Sequence, residues 1–175
     1  MPRATGESDL PRTPSFRLDG RRALVTGAGR GIGRAAAVAL AEAGAHVVLA
    51  SRTSVELEAL AEAIRWAGGS AEPLVLDVAD VAATQAAIAA QAPFDVLVNN
   101  AGTNRPAPFL EVTIEDYDAV TDLNVRAAFF VAQAVARRMV EAGRAARSST
   151  SPRRWATSAA RVAPCTARPS TRSRA

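Results

Sequence analysis

The chain has 175 residues, 49% of them hydrophobic, and a net charge of +4 in which all 21 of the Lys-plus-Arg positions are arginine. That length suits one domain with its own core, and no apolar run reaches the roughly 20 residues that a membrane span needs. One cysteine, Cys165, and one histidine, His46, exclude an internal disulfide and leave no expectation of a zinc or iron cluster.

Residues 1–18, "MPRATGESDLPRTPSFRL", mix proline, serine and charge without the apolar centre of a secretory signal. They are expected to form a flexible lead-in, and the expected compartment is the cytoplasm. "RRALVTG" follows as a short apolar run ending in glycine, the pattern of a strand buried on both faces. "GIGRAAAVALAEAGA" is an alanine-rich helix stopped by Gly44. "HVVLAS" is a second buried strand. "SVELEALAEAIRWAGG" is a second helix with Leu57, Leu60 and Ile64 on one face.

"AEPLVLD" is a third strand, "VAATQAAIAAQA" a third helix, and "FDVLVNNAG" a fourth strand entering a turn. "TIEDYDAVTDLNVRAAFFVAQAVARRMVEAG" reads as one long helix, bent near its start. Thr113 is its expected N-cap, with the Asp116 side chain reaching back in a shortened capping box. Strands alternating with helices imply right-handed crossovers, so the expected fold class is α/β: a Rossmann-like, doubly wound parallel sheet, truncated after about four strands. The expected dinucleotide-binding domain is residues 19–143, followed by a tail of residues 144–175.

"TGAGRGIG", Thr26 to Gly33, lies between the first strand and the first helix. Glycines there allow a tight turn and close approach of a pyrophosphate, and the helix start offers unpaired N–H groups to phosphate. The literal G-x-G-x-x-G spacing is not met, because Ile32 stands where the third glycine would fall. The pattern is T-G-x-x-x-G-x-G. With "NNAG" (Asn99 to Gly102) after the fourth strand and Asn124 in the long helix, it resembles the short-chain dehydrogenase/reductase family from about Leu18 to Gly143.

That resemblance implies that Gly27, Gly31, Ile32 and Gly33 line the cofactor pyrophosphate, and that Asp77 and Val78 hold the adenine. Asn99, Ala101 and Gly102 would lie under the ribose and nicotinamide half. Asn124 would be the catalytic-site asparagine that steadies a proton-relay water. A NAD-specific enzyme usually ends its second strand with an acid that grips the ribose 2′-OH. Here Ser51 takes that place and Arg52 follows, with Arg30 directed to the same region by the resemblance. Guanidiniums without a carboxylate suit a 2′-phosphate, so NADP is expected ahead of NAD. The substrate class is a small-molecule alcohol or carbonyl; sugar acids, ketoacyl thioesters and steroid-like alcohols all remain open.

Reduction of a carbonyl needs a proton donor for the developing alkoxide. Members of the family use a tyrosine, a lysine four residues later and a serine about thirteen residues upstream. This chain has one tyrosine, Tyr117, at an unrelated position, and no lysine. An inactive chain is therefore expected.

The tail offers a reason. Residues 1–143 carry 13 Arg against 17 acids; residues 144–175 carry 8 Arg and no acid. Legal codons for Ala146 to Ala175, read from the third base, spell "SIVNISSQMGHVGGPGRTVYCATKHAVEG". That string holds a strand pattern, a serine, a tyrosine codon over Thr166 and a lysine codon over Ser170. One restored G near Arg144 turns "GRAARS" into "GRGGS". A single-base frameshift just before Ala146 is expected, in the gene or its sequencing, leaving a disordered tail. With the family's strand order, that would leave the fourth strand as an unpaired edge prone to aggregation and rob the long helix of a neighbour in the family's dimer interface. The alternatives are a non-catalytic nucleotide-binding module, or an arginine-rich tail that binds RNA or an anionic surface; neither nucleic acid nor membrane is the expected partner.

Overall fold

A computed structural model describes residues 15–143 and 147–150. Five strands, β1 (Arg22–Thr26), β2 (His46–Ser51), β3 (Ser70–Val75), β4 (Val96–Asn99) and β5 (Arg147–Thr150), form one parallel sheet in the order β3-β2-β1-β4-β5. The connecting helices are α1 (Gly31–Glu42), α2 (Ser54–Trp66), α3 (Val81–Ala90), α4 (Ile114–Thr121) and α5 (Ala128–Glu141).

The apolar runs are strands because helices cover both faces of the sheet. Along β1 and β2 successive side chains enter opposite cores. Ala23, Val25, Val47 and Leu49 pack under α1 and α2 with Leu57, Leu60 and Ile64. Leu24, Val48 and Leu97 pack on the other side with Ile88, Phe94, Val131, Val135 and Met139 from α3, α5 and the loop before β4. The chain runs from β1 outward to β3, then crosses back to place β4 on the other side of β1. That reversal opens a crevice beyond the carboxyl ends of β1 and β4, where ligands of such sheets bind.

At the opposite end of the sheet, polar groups tie the strand starts together. Asp95, 7% exposed, accepts from the Arg22 backbone N–H at 2.9 Å and from the Arg21 guanidinium at 3.0 Å. Arg22 donates to Glu72 at 3.0 Å and to Gln91 at 2.9 Å. Burial pushes the Glu72 carboxyl up, but Arg22 and His46 outweigh it and hold the group below the usual glutamate value.

The expectations for the edge strand, the tail and the lead-in need adjustment. The sheet does not stop at β4: β5 pairs with it in parallel, from Val96 opposite Arg147 to Asn99 opposite Thr150, so β4 is not an open edge and the tail is not wholly without structure. Residues 151–175 lie outside the described residues. The lead-in is shorter than 18 residues, since the Leu18 N–H donates to the Ala43 carbonyl at 2.7 Å and its side chain packs on the core; residues 1–14 lie outside the described residues.

The bend in the long helix is a π-helical segment, Asp122–Ala127, between α4 and α5. Finally, Thr113 caps α4 as expected, accepting from the Asp116 N–H at 3.1 Å. The Asp116 carboxylate pairs with Arg105 at 2.8 Å and also reaches back to the Thr113 side chain, and both contacts hold its pKa below the ordinary range.

Candidate functional site

The crevice is a cleft of about 440 Å³ at the carboxyl ends of the strands. Its floor is the glycine turn. Gly27 and Gly31 sit at φ +64° and +57°, a left-handed conformation that other residues resist. A side chain on Gly33 would strike the Gly27 carbonyl, so this glycine lets α1 start tight against β1. A side chain on Gly31 would meet nothing within 4 Å, which marks the open side of the turn.

Arg30 is the N-cap of α1, and no side chain caps the helix there. An arginine has no acceptor to offer the first-turn N–H groups. The start of α1 therefore presents donors and a positive dipole end to an anion, at the place where the fold puts its ligand.

A threonine hub fixes the turn to β4. Thr26, 1% exposed, donates through its hydroxyl to Asn99 Oδ1 at 3.2 Å and accepts from the N–H groups of Asn100 and Ala101, both at 3.0 Å. Asn99 Nδ2 donates to the Ala128 carbonyl at 2.7 Å, tying β4 to α5. Asn100 Nδ2 spans the Thr26 and Gly27 carbonyls, each at 3.2 Å. The sequence marks Asn99 and Asn100 as residues that could tie neighbouring strands together, and they do; it gives no sign of the part played by Thr26. Thr26 reads as the last residue of a strand until β1 and β4 lie side by side.

Of the residues singled out, Gly27, Arg30, Ile32, Ser51, Arg52, Asp77, Val78, Ala101 and Gly102 all line the cleft. Gly31 and Gly33 shape the turn beside it, and Asn99 lies beneath it, 4% exposed. Asp77 accepts from the Ala79 N–H at 3.0 Å and faces Arg52 at 4.0 Å. It does not cap the next helix; Asp80 does, accepting from the Ala83 N–H at 2.9 Å.

Asn124 stands in the π-helical segment. Its amide accepts from the Thr103 N–H and donates to the Thr103 carbonyl, both at 2.8 Å. It thereby clamps the loop after β4 to the helix, and this side chain keeps only part of its hydrogen-bonding capacity for anything else. Tyr117 lies on α4, 64% exposed, and is not among the cleft residues.

The cleft is also less positive than the sequence suggested. Glu56, from the first turn of α2, lines it together with Arg30, Arg52 and Asp77. The sequence reading looked for an acid at the end of β2, and this one arrives from the following helix. A separate cavity of about 320 Å³ lies between α1 and α2, lined by Val38, Leu60 and Ile64 with Arg17 and Arg34, and shares no residue with the cleft. Among the described residues no helix is long and apolar enough to cross a membrane, and no cluster of metal-ligating side chains occurs.

A family model described as short chain dehydrogenase matches residues 21–147. The D-erythrulose reductase of Gallus gallus is 52% identical over 130 residues, which are 74% of this chain and 51% of that protein. The L-xylulose reductase of Mesocricetus auratus is 48% identical over 126 residues, 72% of this chain and 50% of that protein. Among solved structures, a gluconate 5-dehydrogenase from Burkholderia cenocepacia in complex with NADP and tartrate aligns with a TM-score of 0.73. Its sequence identity is 44%, and the alignment covers 78% of this chain and 55% of that one. The chain spans about half the length of the curated relatives it matches.

Proposed function

The chain belongs to the short chain dehydrogenase family, and we propose that it is the NADP(H)-binding portion of an oxidoreductase for small polyhydroxylated ketones or alcohols. The observation that carries this reading is the uncapped start of α1, set at the switch point of the sheet with Arg30 and Arg52 in the same cleft. The first-turn N–H groups hold the pyrophosphate. The two guanidiniums receive the 2′-phosphate, and Asp77 and Val78 border the adenine. Ala101 and Gly102 carry the nicotinamide half, over a floor that Thr26 and Asn99 keep rigid. The bound dinucleotide supplies the hydride. Support for a polyol or ketose comes from the similarity to a D-erythrulose reductase and an L-xylulose reductase.

The chain as it stands binds and does not turn over, because it has no lysine and its one tyrosine is not among the residues that line the cleft. Titration of the chain with NADPH and NADH, followed by nicotinamide fluorescence, tests the reading; NADPH binds more tightly, and neither is consumed with a ketose present. Equal or weaker NADPH affinity would remove the preference, and turnover would remove the claim of inactivity.

Residues 146–175 are, on this reading, the right gene in the wrong frame. Identity of about half the residues along 130 positions gives way to a segment without acids, and the match to the family model stops at residue 147. The out-of-frame strand pattern "SIVNIS" overlies the stretch that forms β5. Sequencing the gene across the codons for Gly143 to Ala146 decides the matter: one extra G restores the frame, and its absence sinks the idea.

A further inference from the structure

We propose that Glu56 sets how strongly the cleft discriminates between NADP(H) and NAD(H), its carboxylate opposing Arg30 and Arg52 at the ribose end. The inference rests on the dinucleotide reading above. Gly29 is the glycine of the turn that the family spacing does not require, and it has no left-handed backbone to explain it. Space explains it. A Cβ at Gly29 would run into the Glu56 carboxylate and lie 3.2 Å from Glu56 Cβ and 3.3 Å from Cδ. The turn is thus seated on the Glu56 side chain, which holds a negative charge inside the phosphate-binding wall.

That carboxylate makes no hydrogen bond or ion pair among the described residues, so its acceptor oxygens are available. It also belongs to the first turn of α2, where an acid complements the helix dipole. A 2′-phosphate entering here gains from the two arginines and loses to Glu56. A ribose 2′-OH is met differently, since a carboxylate accepts its hydrogen bond. Arg30 and Arg52 against Glu56 and Asp77 leave the lining without net formal charge. The cleft therefore favours the phosphorylated dinucleotide only modestly and retains a place for the other.

The experiment measures dissociation constants of NADPH and NADH for the chain and for Glu56→Gln and Glu56→Lys, at low and high salt, with circular dichroism to verify folding. Glu56 is exposed, so both variants are expected to fold. The NADPH-over-NADH affinity ratio rises about five- to tenfold in Glu56→Gln, further in Glu56→Lys, and the gain shrinks with added salt. Equal weakening of both dinucleotides, or a ratio that does not follow the charge, overturns the role of Glu56 and leaves the NADP reading intact. A parent chain that prefers NADH overturns the NADP preference, while a graded rise in its ratio still supports Glu56 as the tuning residue. A parent that binds neither overturns both.

Discussion

Thr26 shows how much of the cleft hangs on one hydroxyl. It uses its donor on Asn99 and its acceptor capacity on two backbone N–H groups, so no hydrogen-bonding site is left over. Thr26→Ala removes all three bonds at once in a buried place. The Asn100 and Ala101 N–H groups then lose their acceptor, at a cost of about 1–3 kcal/mol. Thr26→Ser keeps the hydroxyl and is expected to recover most of that loss, whereas Thr26→Val keeps the shape and is not. Urea unfolding of the three variants separates hydrogen bonding from packing. NADPH affinity should fall in parallel, because the same bonds hold the turn against β4. If Val matches Ser, the hub is a packing site and the hydrogen-bond account is wrong.

At the scale of elements, the two sides of the sheet are held differently. An ion pair that depends on pH, Arg22 of β1 with Glu72 of β3, reaches across the start of β2. Glu72 has a lowered folded pKa, so its stabilisation is present above the unfolded value and is lost as pH falls through the folded one. Glu72→Gln should be the less stable chain at pH 7, with the difference closing below about pH 4; denaturant titrations at both pH values measure it. A gap independent of pH would assign Glu72 a packing role.

On the other side, β5 has the sequence Arg-Ser-Ser-Thr, without the large apolar residues of β1 and β2. Backbone bonds join it to β4 with little else in its composition to bury. Amide hydrogens in the β4–β5 ladder should therefore exchange well before those of β1–β2, as hydrogen-exchange mass spectrometry would show. Equal protection would mean that β5 is as firmly docked as the inner strands. These elements also show what a sequence can reveal. β1 and β2 were legible because burial on both faces writes itself as unbroken apolar runs. β5 was not, because Arg-Ser-Ser-Thr carries no apolar pattern that marks a strand. Glu56 was missed for a related reason: it reaches the cleft from a neighbouring element, and no linear spacing records that.

Over the whole molecule, apolar surface is distributed unevenly. α5 buries Val131, Val135 and Met139 in the sheet core. Its other side presents Phe129 and Val140, eleven positions apart and so about three turns along one face. Val125 continues that line into the π-helical segment, and Ile114 and Tyr117 add apolar area on α4; all five are more than half exposed. An apolar stripe on one side of a small domain drives association, and the charge does not oppose it, since residues 1–143 carry a net charge of only −4 from 13 Arg against 17 acids. The chain should therefore self-associate as its concentration rises. Phe129→Glu places a charge in the middle of the stripe without touching the core or the cleft. It should raise the monomer fraction in sedimentation velocity while leaving NADPH affinity unchanged. The pair of readouts matters, because a variant that lost both would report damage to α5 rather than to its exposed face. A parent chain that stays monomeric at high concentration would show that the stripe is too dispersed to drive association, and the mutation should then change neither quantity.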